Sequence, residues 1–249
     1  MSRKKHISHK KRDFEQNNGR KDNSRSNTNL NYNQIKHWAK QTWHFIWHSN
    51  SILSWIVNII LAYVIIRFLF YPGLGLLFST SFPMVAVISG SMEHKIINHD
   101  SDRTPHLCGN RFAETQHRVD FDTYWENCGD WYEQHNITQE QFSSFSFPRG
   151  FNKGDIILIY GEDTKNLKIG DVIVFMSSVR HEPIIHRIVG IEERNGELVF
   201  MTKGDHNQNI GPMDTNISED AIIGKGVFRI PYLGWIKIWF TNTVQLIAR

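Results

Sequence analysis

An apolar run near the start of the chain constrains everything that follows it. Residues 51–71 read SILSWIVNIILAYVIIRFLFY and contain a single charge, Arg67, close to the end of the run. About 20 helical residues cross the roughly 30 Å hydrocarbon core of a bilayer. A cleavable leader would have a shorter apolar core close to the N-terminus, whereas this run follows 50 mainly polar residues. The run therefore predicts a transmembrane anchor, over residues 51–78, that stays in the protein.

Charge is distributed unevenly along the chain. Residues 1–50 hold eleven Lys/Arg against three Asp/Glu, and residues 51–249 hold seventeen against twenty-two. The positive-inside rule then places the N-terminus in the cytoplasm and everything after about residue 80 outside. Because the basic excess lies in the tail, a nucleic-acid-binding domain is disfavoured. We expect a single-pass protein of the cell membrane, with the C-terminal part extracytoplasmic.

The segment before the anchor divides into two parts. Residues 1–33 contain almost no apolar side chains and predict a disordered basic cytoplasmic tail. Residues 34–50 place Trp38, Trp43 and Trp47 close to lysines, which is typical of an amphipathic segment at a membrane interface. A surface helix docked on a partner is the alternative interpretation of residues 34–50.

Residues 79–249 predict a mainly β, extracytoplasmic domain. Short β-branched segments alternate there with turn residues: PMVAVIS, DIILIY, GDVIVFM, PIIHRIVGI, GELVFMT and AIIGKGVFRI. Three of these segments open or close with a Gly-Asp pair, which is typical of turns. Residues 93–150 interrupt the pattern and contain a helical stretch near DFDTYWENCGDWYEQHN. We interpret residues 93–150 as an inserted lid or cap, because a loop of this length is seldom structureless in a compact domain.

The insertion contains both cysteines of the chain, Cys108 and Cys128. Two cysteines are too few for a Cys-rich zinc module, so they are either one disulfide or two inert thiols. We expect the disulfide, because an extracytoplasmic compartment permits oxidation. Asn136-Ile-Thr138 and Asn216-Ile-Ser218 match the glycosylation pattern, which bears on the protein only because both sites are predicted to be outside.

The segment ISGSMEH carries a candidate nucleophile. By the period of two along a strand, Ser89 and Ser91 follow Val85 and Val87 on one face, so two hydroxyls point the same way. Ser91 suits an attacking hydroxyl, while Ser89 and the Ser91 backbone N–H suit donors to an oxyanion. The structural alternative is a linker, since Ser-Gly-Ser is common in linkers.

A base and a carboxylate are available further along the chain. His186 lies in the apolar segment PIIHRIVGI, where a neutral, proton-accepting imidazole is favoured, although a core histidine is the alternative. Asp205 and Asp214 lie in the loop after GELVFMT. We expect Asp205 to satisfy backbone N–H groups of its Gly-Asp turn and Asp214 to turn back towards His186 after Gly211-Pro212. Both aspartates remain candidates for the third group.

These segments resemble, in order, the boxes of type I signal peptidases of the archaeal and endoplasmic-reticulum kind. The resemblance covers about residues 82–92 and 150–236: SFPMVAVISGSMEH, FNKGDIILI, LKIGDVIVF, PIIHRIVGI, FMTKGDHNQ and AIIGKGVFRIPYLGWI. Bacterial members have a lysine where His186 stands, so the histidine marks the Ser/His/Asp branch. Two departures from the family pattern are His94, where proline is usual, and the insertion itself.

The resemblance implies a membrane-bound serine endopeptidase that cleaves signal peptides from exported precursors. Ser91 would be the nucleophile, His186 the base, an aspartate of the TKGD loop the third group, and Ser89 part of the oxyanion site. The implied partners are secretory precursors, the lipid bilayer and the protein-export channel, with no metal, organic cofactor or nucleic acid. The alternative is an anchored, non-catalytic β-domain that binds a partner through the insertion.

The C-terminal segment LGWIKIWFTNTVQLIA is short and contains Lys237. Signal peptidases of eukaryotes and many archaea have a second span there. We expect this segment to rest on the bilayer as an apolar surface and not to cross it.

Overall fold

A computed structural model describes residues 32, 34–49, 51–99, 103–177 and 182–247. The tail predicted over residues 1–33 therefore lies outside the described residues, apart from residue 32. The chain divides into two compact units, Met1–Leu69 and Phe70–Arg249.

The first unit contains two consecutive helices. Helix α1 covers residues 34–48, and α2, Ile52–Ile65, begins at Ser51, whose hydroxyl accepts the N–H of Ser54. Polar side chains of α2 bond to the end of α1: Ser54 Oγ donates to Phe45 O, and Asn58 Nδ2 donates to Ile46 O, both at 2.8 Å. These bonds satisfy carbonyl groups that the last turn of a helix leaves without an intrahelical donor.

Helix α2 continues through a π-helical turn, Ile66–Phe70, into α3, Tyr71–Leu77. Pro72 has no backbone N–H to donate to the preceding turn, which accounts for the irregularity before it. Among the described residues, Ile52–Leu77 is the one helix long and apolar enough to cross a membrane, with 26 residues and Arg67 as its single charged side chain.

The second unit is built on an antiparallel sheet of seven strands, in the order β1-β5-β10-β6-β7-β8-β9. The strands are β1 Met84–Ala86, β5 Ile156–Tyr160, β6 Val172–Met176, β7 Pro183–Arg194, β8 Glu197–Lys203, β9 Ile217–Ser218 and β10 Ile222–Ile230. Short 3₁₀ turns cover Thr164–Asn166 and Glu219–Ala221, and the helix α6, Trp235–Ile247, follows β10. The predicted mainly β domain is confirmed.

The centre of the sheet is buried on both faces. Val172 and Val174 of β6 pack in one apolar cluster with Ile157 and Ile159. The alternate residues Ile173 and Phe175 of the same strand pack in a second cluster. Burial on both faces explains why β6 reads as a continuous apolar run with no alternation of polar residues.

The insertion folds as a small subdomain with its own elements. Strands β2 Ile97–Asn98, β3 Pro105–Leu107 and β4 Asn110–Arg111 form a second sheet. Helix α4, Phe121–Glu133, begins at Asp120, whose carboxylate accepts the N–H of Thr123. Helix α5, Gln139–Ser144, begins with a capping box formed by Thr138 and Gln141. Sequence analysis located the first of these helices but not the second.

The insertion packs against the β-domain. Its core contains Tyr124, Trp125, Tyr132 and Phe142, and this core extends to Val189 of β7. A disulfide joins Cys108, next to β3, to Cys128 of α4. The insertion is therefore part of the wall of the β-domain.

Strand β1 is shorter than the sequence predicts. We expected the extended pattern to run from Val85 to Ser91, but the strand ends at Ala86 and the chain bends at Ser89 and Gly90. The pairing with β5 also stops there, at Ala86 with Ile156. The expectation that both serines lie on one strand face is therefore wrong, although their hydroxyls do lie together, 3.1 Å apart.

The disulfide gives a first testable prediction. Replacing Cys108 and Cys128 by serine should lower the free energy of unfolding by about 3 kcal/mol, because the loop of 20 residues is no longer closed in the unfolded chain. Denaturant titration of the full chain in detergent, followed by tryptophan fluorescence, measures the change. Chemical reduction of the parent should reproduce it, and equal stability of parent and variant would contradict it.

Candidate active site

Ser91 lies in a tight turn beyond β1. The N–H of Glu93 donates to Gly90 O at 3.0 Å and closes this turn, while the Ser91 carbonyl accepts the N–H of His206 at 2.8 Å. Gly204, in the same loop as His206, has no room for a side chain, since a Cβ there would lie 2.8 Å from Ser91 O. The loop after β8 therefore sets the position of Ser91.

The insertion leaves and rejoins the β-domain directly beside Ser91. Glu93 and Gly150 form an antiparallel bridge, and Phe151 N donates to Met92 O at 3.1 Å. Gly150 has a φ of +60°, and a Cβ at this position would lie 2.2 Å from Met92 O, so only glycine fits. The sequence boxes on the two sides of the insertion are thus neighbours in space.

His186 lies in β7, opposite Ile173 of β6, and connects two other side chains. Its Nε2 lies 3.0 Å from Ser91 Oγ, and its Nδ1 lies 2.5 Å from Asp214 Oδ1. Because the carboxylate accepts the Nδ1–H, the lone pair of Nε2 in the neutral ring faces the serine hydroxyl. His186 and Asp214 are buried, at 7% and 3% exposure. The fold thus joins the Ser91 hydroxyl, the His186 imidazole and the Asp214 carboxylate in one hydrogen-bonded series.

Asp214 is held by neighbouring groups as well as by His186. Thr202 Oγ1 donates to Asp214 Oδ1 at 2.7 Å, and Gly211 N donates to Asp214 Oδ2 at 3.1 Å. In return, Asp214 O accepts the N–H of Thr202 at 2.8 Å. This is the turn back towards His186 that the residues Gly211-Pro212 predict. The carboxylate has little freedom to leave the imidazole.

Ser89 supplies a second hydroxyl at the same place. Its Oγ lies 3.1 Å from Ser91 Oγ. A hydroxyl bonded to a base, a carboxylate that fixes the base and an adjacent donor are the groups that acyl transfer requires.

Asp205 pairs with Arg187, and no hydrogen bond that the structure describes joins it to His186. Successive side chains of a strand point to opposite faces, so Arg187 points away from the face of His186. Arg187 Nε and Nη2 donate to the two oxygens of Asp205 at 2.9 and 2.7 Å. The three remaining N–H groups of the guanidinium donate to backbone carbonyls of Ser146, Phe147 and Gly170. Both charged side chains are fully buried.

The insertion completes the contacts of Asp205. His94 Nε2 lies 3.0 Å from Asp205 Oδ2, and the Tyr132 hydroxyl donates to Asp205 Oδ1 at 3.3 Å. The Tyr124 hydroxyl donates to Asp205 O at 2.9 Å, and its ring stacks on His94 with centroids 3.6 Å apart. Cys108 Sγ lies 3.3 Å from the same carbonyl oxygen.

The expectation that Asp205 caps its own turn is wrong. Its carboxylate accepts hydrogen bonds from Arg187, His94 and Tyr132 and none that the structure describes from the following backbone. A buried carboxylate close to a buried guanidinium is most stable when the two pair directly. Among the described contacts, it is Asp214 that accepts from His186.

Burial and pairing shift the pKa values of these two carboxyl groups in opposite directions. Burial by itself would raise the pKa of Asp205, but the Arg187 guanidinium and the bond to His94 outweigh it and hold that pKa well below its ordinary value. Burial also tends to raise the pKa of Asp214, and the bond to His186 lowers it overall. Both groups are therefore carboxylates at neutral pH.

Sequence reasoning missed four contributors to this arrangement: Thr202, Arg187, His94 and Tyr132. Arg187 gave a signal, because it is a charge in the middle of an otherwise apolar strand. His94 also gave one, since it replaces a proline of the family pattern. Thr202 and Tyr132 look like ordinary strand and helix residues, so nothing in the sequence marks them.

Comparison with known proteins gives a consistent result. The chain is 33% identical over 107 residues to the signal peptidase complex catalytic subunit SEC11 of Lachancea thermotolerans. It is 34% identical over 109 residues to the corresponding sec11 subunit of Schizosaccharomyces pombe, and 28% identical over 101 residues to the human SEC11C subunit. The chain is similar to signal peptidase catalytic subunits.

The similarity confirms the resemblance expected from the sequence and has a defined extent. The matches cover 38 to 41% of this chain, and the chain spans 63%, 53% and 53% of the Lachancea, Schizosaccharomyces and human subunits. No protein-family profile matches the chain.

The buried pair of Asp205 and Arg187 gives a second prediction. Asp205→Asn should lower the free energy of unfolding at neutral pH by about 3–5 kcal/mol, because it leaves the buried guanidinium without its counter-charge. Glu192→Gln is the matched control: it removes the partner of Arg194 in an exposed pair 2.6 Å apart, and should cost less than about 1 kcal/mol. Denaturant titration of both variants measures the difference, and equal losses would contradict the prediction.

The same pair predicts the direction of a pH effect. The folded-state pKa of Asp205 lies below its ordinary value of 3.8, so its contribution to stability is complete above pH 3.8 and is lost as the pH falls towards the folded-state pKa. The difference in stability between parent and Asp205→Asn should therefore shrink as the pH falls from 5 to 2.

Proposed function

We propose that this chain is a membrane-anchored serine endopeptidase that removes signal peptides from exported precursor proteins. The observation that carries the proposal is the hydrogen-bonded series of Ser91, His186 and Asp214. The printed names of the similar proteins, which are catalytic subunits of signal peptidase complexes, support the same substrate class.

The geometry supports a reaction in two acyl-transfer steps. Ser91 Oγ attacks the scissile carbonyl carbon while His186 Nε2 takes the hydroxyl proton. Asp214 holds the Nδ1–H and stabilises the imidazolium, which then donates its proton to the leaving amine. Water, deprotonated by the same imidazole, hydrolyses the ester on Ser91 and restores the hydroxyl. Apart from the attacking water, every proton transfer in these two steps uses side chains of this chain.

Ser89 has the position of an oxyanion donor. Its hydroxyl lies 3.1 Å from the attacking oxygen, within reach of a carbonyl oxygen bound at Ser91. A fixed donor at this place stabilises the negative charge that develops on the carbonyl oxygen in the transition state. The Ser91 backbone N–H would be the second donor.

The proposed placement in the membrane is supported by one helix and by the uneven distribution of charge along the sequence. One candidate span, Ile52–Leu77, supports anchoring. We propose that residues 1–33 are a cytoplasmic tail, that residues 34–50 lie at the interface and that residues 79–249, with their insertion, are extracytoplasmic. Helix α6, Trp235–Ile247, exposes Ile236, Trp239 and Phe240, and we propose that this apolar surface rests on the membrane.

The sheet offers a place for an extended substrate. Strand β1 lies at the edge of the sheet and leads directly to Ser89 and Ser91. A peptide in extended conformation can add to such an edge through main-chain hydrogen bonds, with its side chains selected by shallow pockets. We propose that the cleavage region of a precursor binds there, as it emerges from the export channel.

The experiment that tests the function is cleavage of a signal-peptide-bearing test preprotein by the full chain in membranes. We expect the Ser91→Ala variant, folded as judged by circular dichroism, to cleave nothing and to lose labelling by a serine-directed fluorophosphonate. Ser89→Ala should lower the rate by about 10²- to 10³-fold, the usual effect of one oxyanion donor.

Two outcomes separate this function from its alternative. Turnover by Ser91→Ala close to the parent rate would remove Ser91 as nucleophile. A folded parent chain that neither cleaves the preprotein nor is labelled would indicate an anchored β-domain that binds a partner through the insertion.

The choice between the two aspartates gives a further prediction. Asp214→Asn should lower the cleavage rate by about 10⁴-fold with little change in stability, because the imidazole loses the acceptor that fixes its tautomer. Asp205→Asn, measured in parallel, should mainly lower stability. If Asp205→Asn is stable and inactive while Asp214→Asn is fully active, the two roles must be exchanged.

A further inference from the structure

A cleft of the second unit, separate from the series Ser91–His186–Asp214, carries an excess of positive charge. It has a volume of about 850 Å³, and five cationic side chains line it against one carboxylate, that of Asp120. The cations come from the insertion, from the loop before β5 and from β10: Lys95, Arg118, Arg149, Lys153 and Arg229. We call it the basic cleft.

Three of the five cations are not neutralised within the part of the chain that the structure describes. Arg229 Nε lies 2.7 Å from Asp155 Oδ2, and Lys95 Nζ lies 3.9 Å from Glu93 Oε2. The carboxylate of Asp120 is used as a helix cap by Thr123. The described residues offer no ion-pair partner to the other three lining cations: Arg118, Arg149 and Lys153. Unpaired like charges around one cavity repel one another, so an anion bound between them would be favoured.

The basic cleft borders an exposed apolar surface. Tyr232, in the turn before α6, and Trp235, the first residue of α6, line it. Beyond them Ile236, Trp239 and Phe240 are 69%, 77% and 70% exposed. Indole and phenol rings next to lysines and arginines are typical of proteins at the headgroup level of a membrane. The combination of unpaired cations and an exposed apolar helix fits a ligand that has an anionic head and an apolar tail.

We propose that the basic cleft binds the phosphate headgroup of an anionic membrane lipid, with the acyl chains against α6. An acidic peptide would account for the charge of the cleft but not for the exposed indole and aliphatic side chains beside it. The insertion contributes three of the five cations, so the proposal also gives this segment a role in holding the β-domain to an anionic membrane surface. The proposal does not depend on peptidase activity, because lipid binding is measured separately from cleavage.

The test uses the full chain in micelles of a neutral detergent. Phosphatidylglycerol is titrated into the micelles, and native mass spectrometry follows the occupancy of the first bound lipid. We expect Arg118→Gln/Arg149→Gln to weaken this binding about 30-fold, since each cation near an anionic surface contributes about fivefold in affinity. Arg118→Lys/Arg149→Lys keeps both charges and should retain most of the binding.

A matched control is available on another part of the unit. Lys165 and Lys168 are exposed and do not line the basic cleft, so Lys165→Gln/Lys168→Gln removes the same charge and should leave the affinity within about twofold of the parent. The proposal is supported if the parent, the Arg118→Lys/Arg149→Lys variant and the Lys165→Gln/Lys168→Gln control all bind phosphatidylglycerol more tightly than the Arg118→Gln/Arg149→Gln variant.

Four results would overturn it. Arg118→Gln/Arg149→Gln could bind phosphatidylglycerol as tightly as the parent, or phosphatidylcholine could bind the parent equally well. Inorganic phosphate could bind as tightly as the lipid and with the same sensitivity to the variant, which would indicate a site for free phosphate. A glutamate-rich peptide could show that sensitivity while the lipid does not, which would assign the basic cleft to a peptide.

Discussion

The pairing of Arg187 with Asp205 is the contact on which the arrangement around Ser91 depends. Asp205 belongs to the loop that also carries His206, bonded to the Ser91 carbonyl, and that ends at Asp214. Arg187 belongs to β7, next to His186, and its remaining donors bind backbone carbonyls of the insertion and of the turn before β6. One ion pair thus fixes the loop, the central strand and the end of the insertion relative to one another. Because both charges are fully buried, this arrangement has few alternatives of similar energy.

Two adjacent residues of one strand therefore serve two purposes. The face of β7 with His186 is directed to the serine hydroxyl, and the face with Arg187 is directed to the protein interior. The base needs a partly open position that a substrate can reach, whereas the ion pair needs exclusion of water to be strong. Two adjacent residues of a strand can meet both requirements, about 3.4 Å apart along the strand, because their side chains point to opposite faces.

Short apolar segments bounded by turn residues carry strong local signals, so the sequence predicted most strands of the sheet. The roles of Ser91, His186 and an aspartate of the loop after β8 came from the resemblance to signal peptidases, with Asp205 and Asp214 both kept as candidates. The sequence could not distinguish the three Gly-Asp pairs. Asp155 and Asp171 accept N–H groups of their own turns, as expected, and each also pairs with a cation of β10. Asp205 pairs with Arg187, 18 positions earlier, but accepts no described N–H group of its turn. The Gly-Asp sequence is the same in all three. What differs is the packing of the insertion on the third one, and that packing depends on contacts distant in sequence.

The two ends of the insertion meet at the bridge between Glu93 and Gly150, so the β-domain could be closed there by a short turn and its strand order would be unchanged. By topology, the insertion could be removed without changing the order of the strands. Its hydrogen bonds nevertheless argue against removal. Without the insertion, His94 and Tyr132 would be lost from the Asp205 carboxylate, which water cannot reach. The buried charge of Asp205 therefore makes the insertion necessary to this fold, and loss of the insertion would need a second change at position 205.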